Sequence, residues 1–208
     1  MTTHLSKLLS ISSPPLSPAV KAPAVNAKET VIKQLYSLLE KRNGFYAFEN
    51  ALHVFALTPS PGQFSLSQWN DPALWISNYG GLADGMLFFA EDILGMQFGI
   101  KENKIYTFEP EYAAVELIAT DLEGWAKAIL DDYNYLTGYP LAHDWQMEHG
   151  SLPPGKRLAP KIPLVGGGKL DVSNMYAADP VQLMRFRGMI AQKIKDLPDG
   201  TRIKFTVE

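Results

Sequence analysis

Three short β-prone runs follow one another between residues 86 and 108, with only turns between them. Their sequences are MLFFA, MQFGI and KIYTF, and a fourth run, AVELIA, comes soon afterwards. Parallel neighbours need a crossover of about a dozen residues or more, usually a helix, and these gaps are too short to hold one. The spacing therefore predicts that the runs form adjacent antiparallel strands.

Helical patterns flank these strands on both sides. Apolar residues recur at helical spacing in KETVIKQLYSLLEKRNG from Lys28, after a cap at Thr120 or Asp121, and after Asp179-Pro180. Residues 137–170 are rich in Gly and Pro and are expected to be irregular, and TRIKFTV at 201–207 is expected to form a last strand. Strands grouped between helices indicate the α+β class. The predicted buried stripe of the last helix is Leu183, Phe186, Ile190, Ile194 and Leu197.

The first 27 residues have a different composition from the rest of the chain. They contain no acidic residue and include Pro14, Pro15, Pro18 and Pro23 among serines and alanines. This composition predicts a disordered tail over residues 1–27. The run LLSIS is too short for the apolar core of a secretory signal, so such a signal is the less favoured interpretation. Residues 28–208 are expected to form one domain.

Charge is distributed unevenly along the chain. Residues 84–132 hold eleven acids and three lysines, a balance of −8, whereas residues 150–208 hold ten basic residues and five acids, a balance of +5. Neither stretch has the pattern of a nucleic-acid-binding surface. The chain has no cysteine, which excludes disulfides, thiolate zinc sites and a cysteine nucleophile. No apolar run approaches the roughly eighteen residues expected of a membrane span.

Two adjacent acids, Glu91 and Asp92, stand in the otherwise apolar segment FFAEDILGMQFGI. Neighbouring residues of a strand point to opposite faces, so this pair is a poor acid–base couple. A second acid could come from Glu109, Glu111 or Asp121, but nothing in the sequence selects one of them. We therefore expect no catalytic role for these carboxylates.

Other chemical motifs are incomplete. In HDWQMEH, the five residues between His143 and His149 place the two imidazoles on different faces of a helix, so the segment does not predict a metal site. The segment VGGGKLD lacks the P-loop spacing, and no Gly-x-Ser-x-Gly elbow marks a serine nucleophile. His53, between apolar neighbours, is expected to be a packed core residue. No metal or cofactor is expected.

The order of several short motifs resembles the SUKH superfamily, the Smi/Knr-type proteins. The segments are LSQWN followed by LWISNYGGL, then LFFAEDILGMQFGI, KIYTFEPE and LIATDLEGWAKAIL. The resemblance covers about residues 28–208, and residues 137–208 look like the extension of one bacterial branch. FEPEYAA lacks the Glu-Thr-Gly ending that is typical at that point. The positions that match the family pattern are Trp69, Gly80, Gly81, Phe88, Gly95, Gln97, Phe98, Phe108 and Trp125.

This resemblance implies an α+β domain with a twisted, mainly antiparallel sheet flanked by helices. It also implies a cytoplasmic, non-catalytic immunity protein that binds a bacterial toxin domain of the nuclease or deaminase class, without a cofactor. Some members look like regulatory scaffolds instead, and an unrecognised hydrolase is a further alternative. The family pattern places Glu91 and Asp92 in a solvated turn between two core strands, where Asp92 caps the turn through its backbone.

The acidic middle stretch is the predicted partner-binding surface. Nuclease toxins that bind phosphate backbones present basic surfaces, and a complementary acidic face guides docking. Glu91 and Glu109 are the first candidates, and the alternative is a solvated face that only keeps the protein soluble. Trp125 is expected to be a core residue of its helix rather than a partner-facing anchor. The candidate partner-binding residues are Glu91, Glu102, Glu109, Glu111 and Glu116.

Overall fold

The computed structural model describes residues 3–26, 28–198 and 201. The α-helices in these residues are α1 (His4–Ser10), α2 (Thr30–Lys41), α3 (Leu66–Trp69), α4 (Leu122–Asp131), α5 (Tyr133–Thr137), α6 (Tyr139–His149) and α7 (Pro180–Ile194). The strands are β1 (Phe45–Ala47), β2 (Leu52–Val54), β3 (Leu87–Glu91), β4 (Gln97–Lys101), β5 (Lys104–Glu109), β6 (Ala114–Ala119), β7 (Arg157–Pro160) and β8 (Met175–Ala178). The 3-10 helices are η1 (Ile76–Tyr79), η2 (Leu164–Gly166) and η3 (Val172–Asn174).

The main sheet is an antiparallel meander. Its spatial order is β1-β2-β3-β4-β5-β6, the order of the strands along the chain, and β7 and β8 form a separate antiparallel pair. The predicted antiparallel strands and the predicted α+β class are thus confirmed. The aromatic-rich segment GFYAFENALHVFAL, which periodicity assigns to neither helix nor strand, supplies β1 and β2. Strands of three residues are too short to show a period of two, and this hides them in the sequence.

Helices and turns cover both faces of this sheet. Phe88 and Phe89 are successive residues of β3 and therefore point in opposite directions. The Phe88 ring lies 5.1 Å from the Trp75 ring, and the Phe89 ring lies 5.1 Å from the Trp125 ring of α4. Trp125 is fully buried, so its predicted core role is confirmed. None of the helices in the described ranges is both long enough and apolar enough to cross a membrane.

The N-terminal segment docks on the domain, and the prediction of a disordered tail over residues 1–27 is wrong for most of it. Helix α1 packs against α4, and its Leu8 is fully buried in the core. Farther along, Arg42 Nη1 donates to the carbonyl oxygen of Ser13 at 2.7 Å, and buried Ser17 donates to the carbonyl oxygen of Thr58 at 2.9 Å. The prolines that suggest disorder follow the helix and do not interrupt it, and Leu5, Leu8 and Leu9 share its inner face.

The C-terminal part departs from its prediction in two places. Residues 137–170, expected to be irregular, contain α6 and β7. Helix α7 begins at Pro180 with Asp179 as its cap, as expected, but Phe186 and Leu197 are 43% and 45% exposed. Leu197 lies beyond the end of α7 at Ile194. Helix α7 contacts η1 through the face that holds Gly188, where a Cβ would lie 2.8 Å from the carbonyl oxygen of Asn78. The predicted strand at 201–207 lies outside the described residues, apart from Thr201.

Candidate functional site

Glu91 is a buried member of a polar cluster, so its predicted place in a solvated turn is wrong. It ends β3 and is 2% exposed. Strand pairing sets His53 of β2 opposite Glu91 on one side and Gln97 of β4 opposite it on the other. Arg157 of β7 then reaches the same carboxylate from the second sheet, with its Nε donating to Oε1 at 2.8 Å. His53 Nδ1 lies 3.0 Å from the same oxygen.

The electrostatics of this cluster favour a permanent ion pair. Burial acts to raise the pKa of Glu91, but the charge of Arg157 and the hydrogen bond from His53 outweigh it and lower this pKa to about 2. Burial lowers the pKa of His53, so the imidazole is neutral at pH 7 and donates its Nδ1–H to Glu91. Through these contacts the cluster joins strand β7 of the second sheet to β2 and β3 of the main sheet. All three side chains are buried, so a substrate could not reach them.

Asp92 caps the turn between β3 and β4, as predicted, but it is only 3% exposed and therefore not solvated. Its Oδ1 accepts hydrogen bonds from the backbone N–H groups of Leu94 and Met96, both at 2.8 Å. Burial outweighs these hydrogen bonds and the nearby charge of Arg187, and raises the pKa of Asp92 to about 7. Asp92 is thus a buried carboxyl that titrates near neutral pH.

A second buried ion pair joins Glu111 to Arg187 of α7. The Arg187 Nε and Glu111 Oε1 atoms are 3.7 Å apart, and both side chains are nearly inaccessible. Glu111 Oε2 also accepts from the backbone N–H of Val165 at 2.9 Å, and Arg187 Nη1 donates to the carbonyl oxygen of Leu94. The pair therefore connects the β5–β6 turn, the β3–β4 turn, the loop around η2 and α7.

These turns and the helices beside them enclose a cleft of about 600 Å³. Its walls come from the β3–β4 turn, the end of β5, helices α5 and α6, the loop at 164–172 and Arg187. The ionisable groups that line it are Asp92, Glu109, Asp144, Asp171 and Arg187. The remaining lining is mostly apolar: Leu94, Met96, Pro110, Tyr135, Pro140, Leu141, Leu164, Leu170 and Val172. We refer to it below as the acidic cleft, because acids outnumber the one arginine.

The structure does not bring the five nominated acids onto one surface. Glu91 and Glu111 are buried in ion pairs, which rules out their predicted role as partner-facing charges in the folded protein. Glu102 lies exposed in the β4–β5 turn, and Glu116 lies exposed on β6. Glu109 lines the acidic cleft, where burial raises its pKa and its two oxygens accept from the backbone N–H groups of Glu111 and Tyr112.

Sequence reasoning missed the basic partners of these acids. Arg157 and Arg187 come from the +5 stretch, and they pair with Glu91 and Glu111 from the −8 stretch. The charge asymmetry along the chain was therefore the available signal. Two segments of one domain that have opposite net charges can pair with each other. In this fold, Glu91 pairs with Arg157 and Glu111 pairs with Arg187.

The segment HDWQMEH forms most of α6, and its two histidines lie apart. His143 Nδ1 is 2.9 Å from Glu49 Oε2, which raises the pKa of His143, whereas the His149 ring stacks on Trp145 with centroids 4.6 Å apart. Within the described part of the chain, no group of three His, Cys, Asp or Glu side chains is arranged to hold a metal ion.

Comparison with known proteins shows a likeness of fold. No protein-family model matches the chain, and a search of curated proteins finds no significant match. Among solved structures, the chain is similar to the crystal structure of Atu4351 from Agrobacterium tumefaciens, with a TM-score of 0.56. The two share 12% sequence identity, over 87% of this chain and 86% of the other. At this identity the likeness shows a shared fold alone.

Proposed function

We propose that this protein is a non-catalytic binding module of the cytoplasm that neutralises a bacterial toxin domain by direct contact, with the acidic cleft and its rim as the docking surface. The resemblance of its motifs to the SUKH superfamily supports the toxin as partner. The observation that carries the proposal is the rim, where Tyr135 is 75% exposed and Leu170 is 59% exposed beside an apolar depression. Exposed aromatic and aliphatic side chains around a depression are typical of protein interfaces.

The charge of the surface suits a basic partner. Asp144 and Asp171 stand on the cleft walls, Glu109 lies at the end of β5, and Arg187 is already paired with Glu111. An acidic face speeds association with a basic protein and repels acidic competitors. Nuclease domains, which bind phosphate backbones, are therefore the partner class that we favour.

A hydrolase is the second candidate function, because the cleft holds two carboxyls, Asp92 and Glu109, that both have a raised pKa. Perturbed carboxyls in one cleft are a common mark of acid–base catalysis. Against it, both Glu109 oxygens and the Oδ1 atom of Asp92 are occupied by backbone N–H groups of neighbouring turns. These contacts suit carboxyls that hold turns, and we favour the binding function.

The test is co-purification of the tagged protein with the product of the neighbouring gene. We expect a stable complex that inhibits the toxin, and we expect the Tyr135→Ala/Leu170→Ala double variant to weaken it by about tenfold or more, because each removes a large apolar contact. Met147→Ala is the matched control, since Met147 is 74% exposed but does not line the cleft. A complex that survives the double variant unchanged would place the docking surface elsewhere, and a regulatory partner without toxic activity would favour the scaffold function.

A further inference from the structure

The acidic cleft has a net negative charge once its ion pair is counted. Four of its ionisable lining residues are acids, namely Asp92, Glu109, Asp144 and Asp171. The one cation, Arg187, faces Glu111 at 3.7 Å and donates to the carbonyl oxygen of Leu94. An anionic ligand would therefore meet uncompensated acids, whereas a cationic ligand would reduce their mutual repulsion.

One acceptor in the cleft has no partner of its own. Asp92 is almost completely buried, yet it lines the cleft. Its Oδ1 accepts two backbone hydrogen bonds, while its Oδ2 makes no hydrogen bond to any residue that the structure describes. Oδ2 is not among the fully buried atoms that lack a partner, so it is open to the cleft, and a cationic donor that enters the cleft could bind it without displacing a protein hydrogen bond.

The rest of the lining fits an aliphatic chain. Leu94, Met96 and Leu141 line the same cleft as Asp92, and its volume of about 600 Å³ is ample for one long side chain. Lysine and arginine combine an aliphatic stem with a cationic end, so they match an apolar wall that leads to a carboxylate.

We infer that the acidic cleft accepts one lysine or arginine side chain of the partner protein, with its cationic end at Oδ2 of Asp92 and its stem against Leu94, Met96 and Leu141. This inference rests on the proposed function, because the side chain is that of the docked protein. It makes Asp92 a residue that selects the partner by charge.

The test uses small probes on the isolated protein and follows backbone amide signals by NMR. The cationic probes are the Nα-acetyl methylamides of lysine and arginine, and the neutral control is the same derivative of norleucine. We expect saturable shifts centred on residues 92–96 for a cationic probe, and at least about tenfold weaker binding of the norleucine probe. Equal binding of the norleucine probe, or no binding of either cationic probe, would overturn the inference.

Two cleft variants and one control locate the charge that is recognised. Asp92→Asn keeps the size of the side chain and an oxygen for the turn, and should weaken the cationic probe about tenfold. Asp144→Asn changes an exposed acid of the cleft wall and should weaken binding of the cationic probe about two- to threefold. This variant keeps the test informative if Asp92→Asn folds poorly. Asp84→Asn changes an exposed acid outside the cleft and should have no effect. Unchanged binding in both cleft variants would also overturn the inference.

The probes separate this inference from the proposed function. If a toxin co-purifies with the protein but no cationic probe binds, the binding function stands and the charged pocket does not. If a cationic probe binds at residues 92–96 but no toxin is neutralised, the pocket stands and the toxin function does not.

Discussion

At Glu91, two partners from distant parts of the chain offset the cost of burying a carboxylate. Arg157 comes from 66 residues farther along and His53 from 38 residues earlier. No local pattern encodes either contact, so the burial of Glu91 could not be predicted, and the family resemblance implied a solvated turn instead. Asp92 is the opposite case, because its cap on the backbone of Leu94 and Met96 is local and could be predicted.

Removing the charge of Glu91 alone should be strongly destabilising. Glu91→Gln leaves the Arg157 guanidinium buried without a counterion, which typically costs about 3–5 kcal/mol. The double variant Glu91→Gln/Arg157→Met should recover a large part of this loss, since both charges are then gone. Urea unfolding measures both values. Lys127→Met, which breaks an exposed pair with Asp131, should leave stability nearly unchanged and serves as the control.

Asp92 should make stability fall as pH rises from about 4 to about 7. Its pKa is about 7 in the folded protein and 3.8 in the reference state, so over this window the unfolded chain has released a proton that the folded chain retains. Asp92→Asn removes this pH dependence. The change that this substitution causes in the free energy of unfolding should therefore be more favourable at pH 8 than at pH 4 by at least about 1 kcal/mol. Urea unfolding of both proteins at pH 4 and pH 8 measures this difference. An equal effect of Asp92→Asn at the two pH values would contradict the prediction.

Glu91 should act in the opposite direction at lower pH. Its folded pKa is about 2, below the reference value of 4.5, so its contribution is present above pH 4.5 and is lost as pH falls towards 2. The Glu91→Gln/Arg157→Met double variant should therefore lose less stability between pH 4.5 and 2 than the unmodified protein. Identical acid unfolding profiles for the two proteins would show that Glu91 is not the responsible group.

Among the elements, those with a strong local pattern were predicted and those that depend on docking were not. Helix α4, with Asp121 accepting from the Gly124 amide, and the start of α7 follow from caps and periodicity. Helix α1 has only seven residues and is not stable alone, so its existence depends on contact with α4 and the core. The inner face of α7 could not be derived either, because it depends on the backbone of Asn78 against Gly188.

Helix α1 should contribute to stability despite its proline-rich surroundings. Leu8→Ala removes a fully buried side chain and should cost about 2–4 kcal/mol. Ile11→Ala, at the half-exposed residue after the helix, should cost less than about 0.5 kcal/mol. Thermal or urea unfolding of both variants gives the comparison. If Leu8→Ala is as stable as the unmodified protein, α1 does not dock in solution.

Gly188 of α7 should resist the substitution that helix propensity favours. Gly→Ala inside a helix normally stabilises it by about 1 kcal/mol. Here the added Cβ would lie 2.8 Å from the Asn78 carbonyl oxygen, so Gly188→Ala should instead destabilise the protein by about 1–3 kcal/mol. Met189→Ala, at the next and half-exposed position, should stay within about 0.5 kcal/mol. A more stable Gly188→Ala protein would contradict the close approach of α7 to η1.

For the whole molecule, the α+β class and the antiparallel order of the strands could be predicted, but the candidate site could not. The acidic cleft combines residues from the β3–β4 turn, α5, α6, the loop at 164–172 and α7. Of the nominated acids, only Glu109 lines it. The sequence shows an excess of acids in residues 84–132. It does not show which of them form ion pairs, which line the cleft and which are exposed, because these roles depend on contacts between distant parts of the folded chain.

The two acids that are exposed outside the cleft should matter little for partner docking. We expect Glu102→Lys/Glu116→Lys to change the association rate with the partner by less than about threefold at physiological salt, because distant exposed charges are largely screened. Surface plasmon resonance at low and high salt measures this. A large, salt-sensitive loss of association rate would restore the acidic middle stretch as the docking surface.

The two ion pairs also bear on how the chain folds while it is being synthesised. Glu91 and Glu111 leave the ribosome well before Arg157 and Arg187, which come from the last third of the chain. Until those arginines emerge, closing the sheet around the two carboxylates would bury charges without counterions. We therefore expect the closed arrangement of the meander to reach its full stability only after Arg157 and Arg187 have been translated.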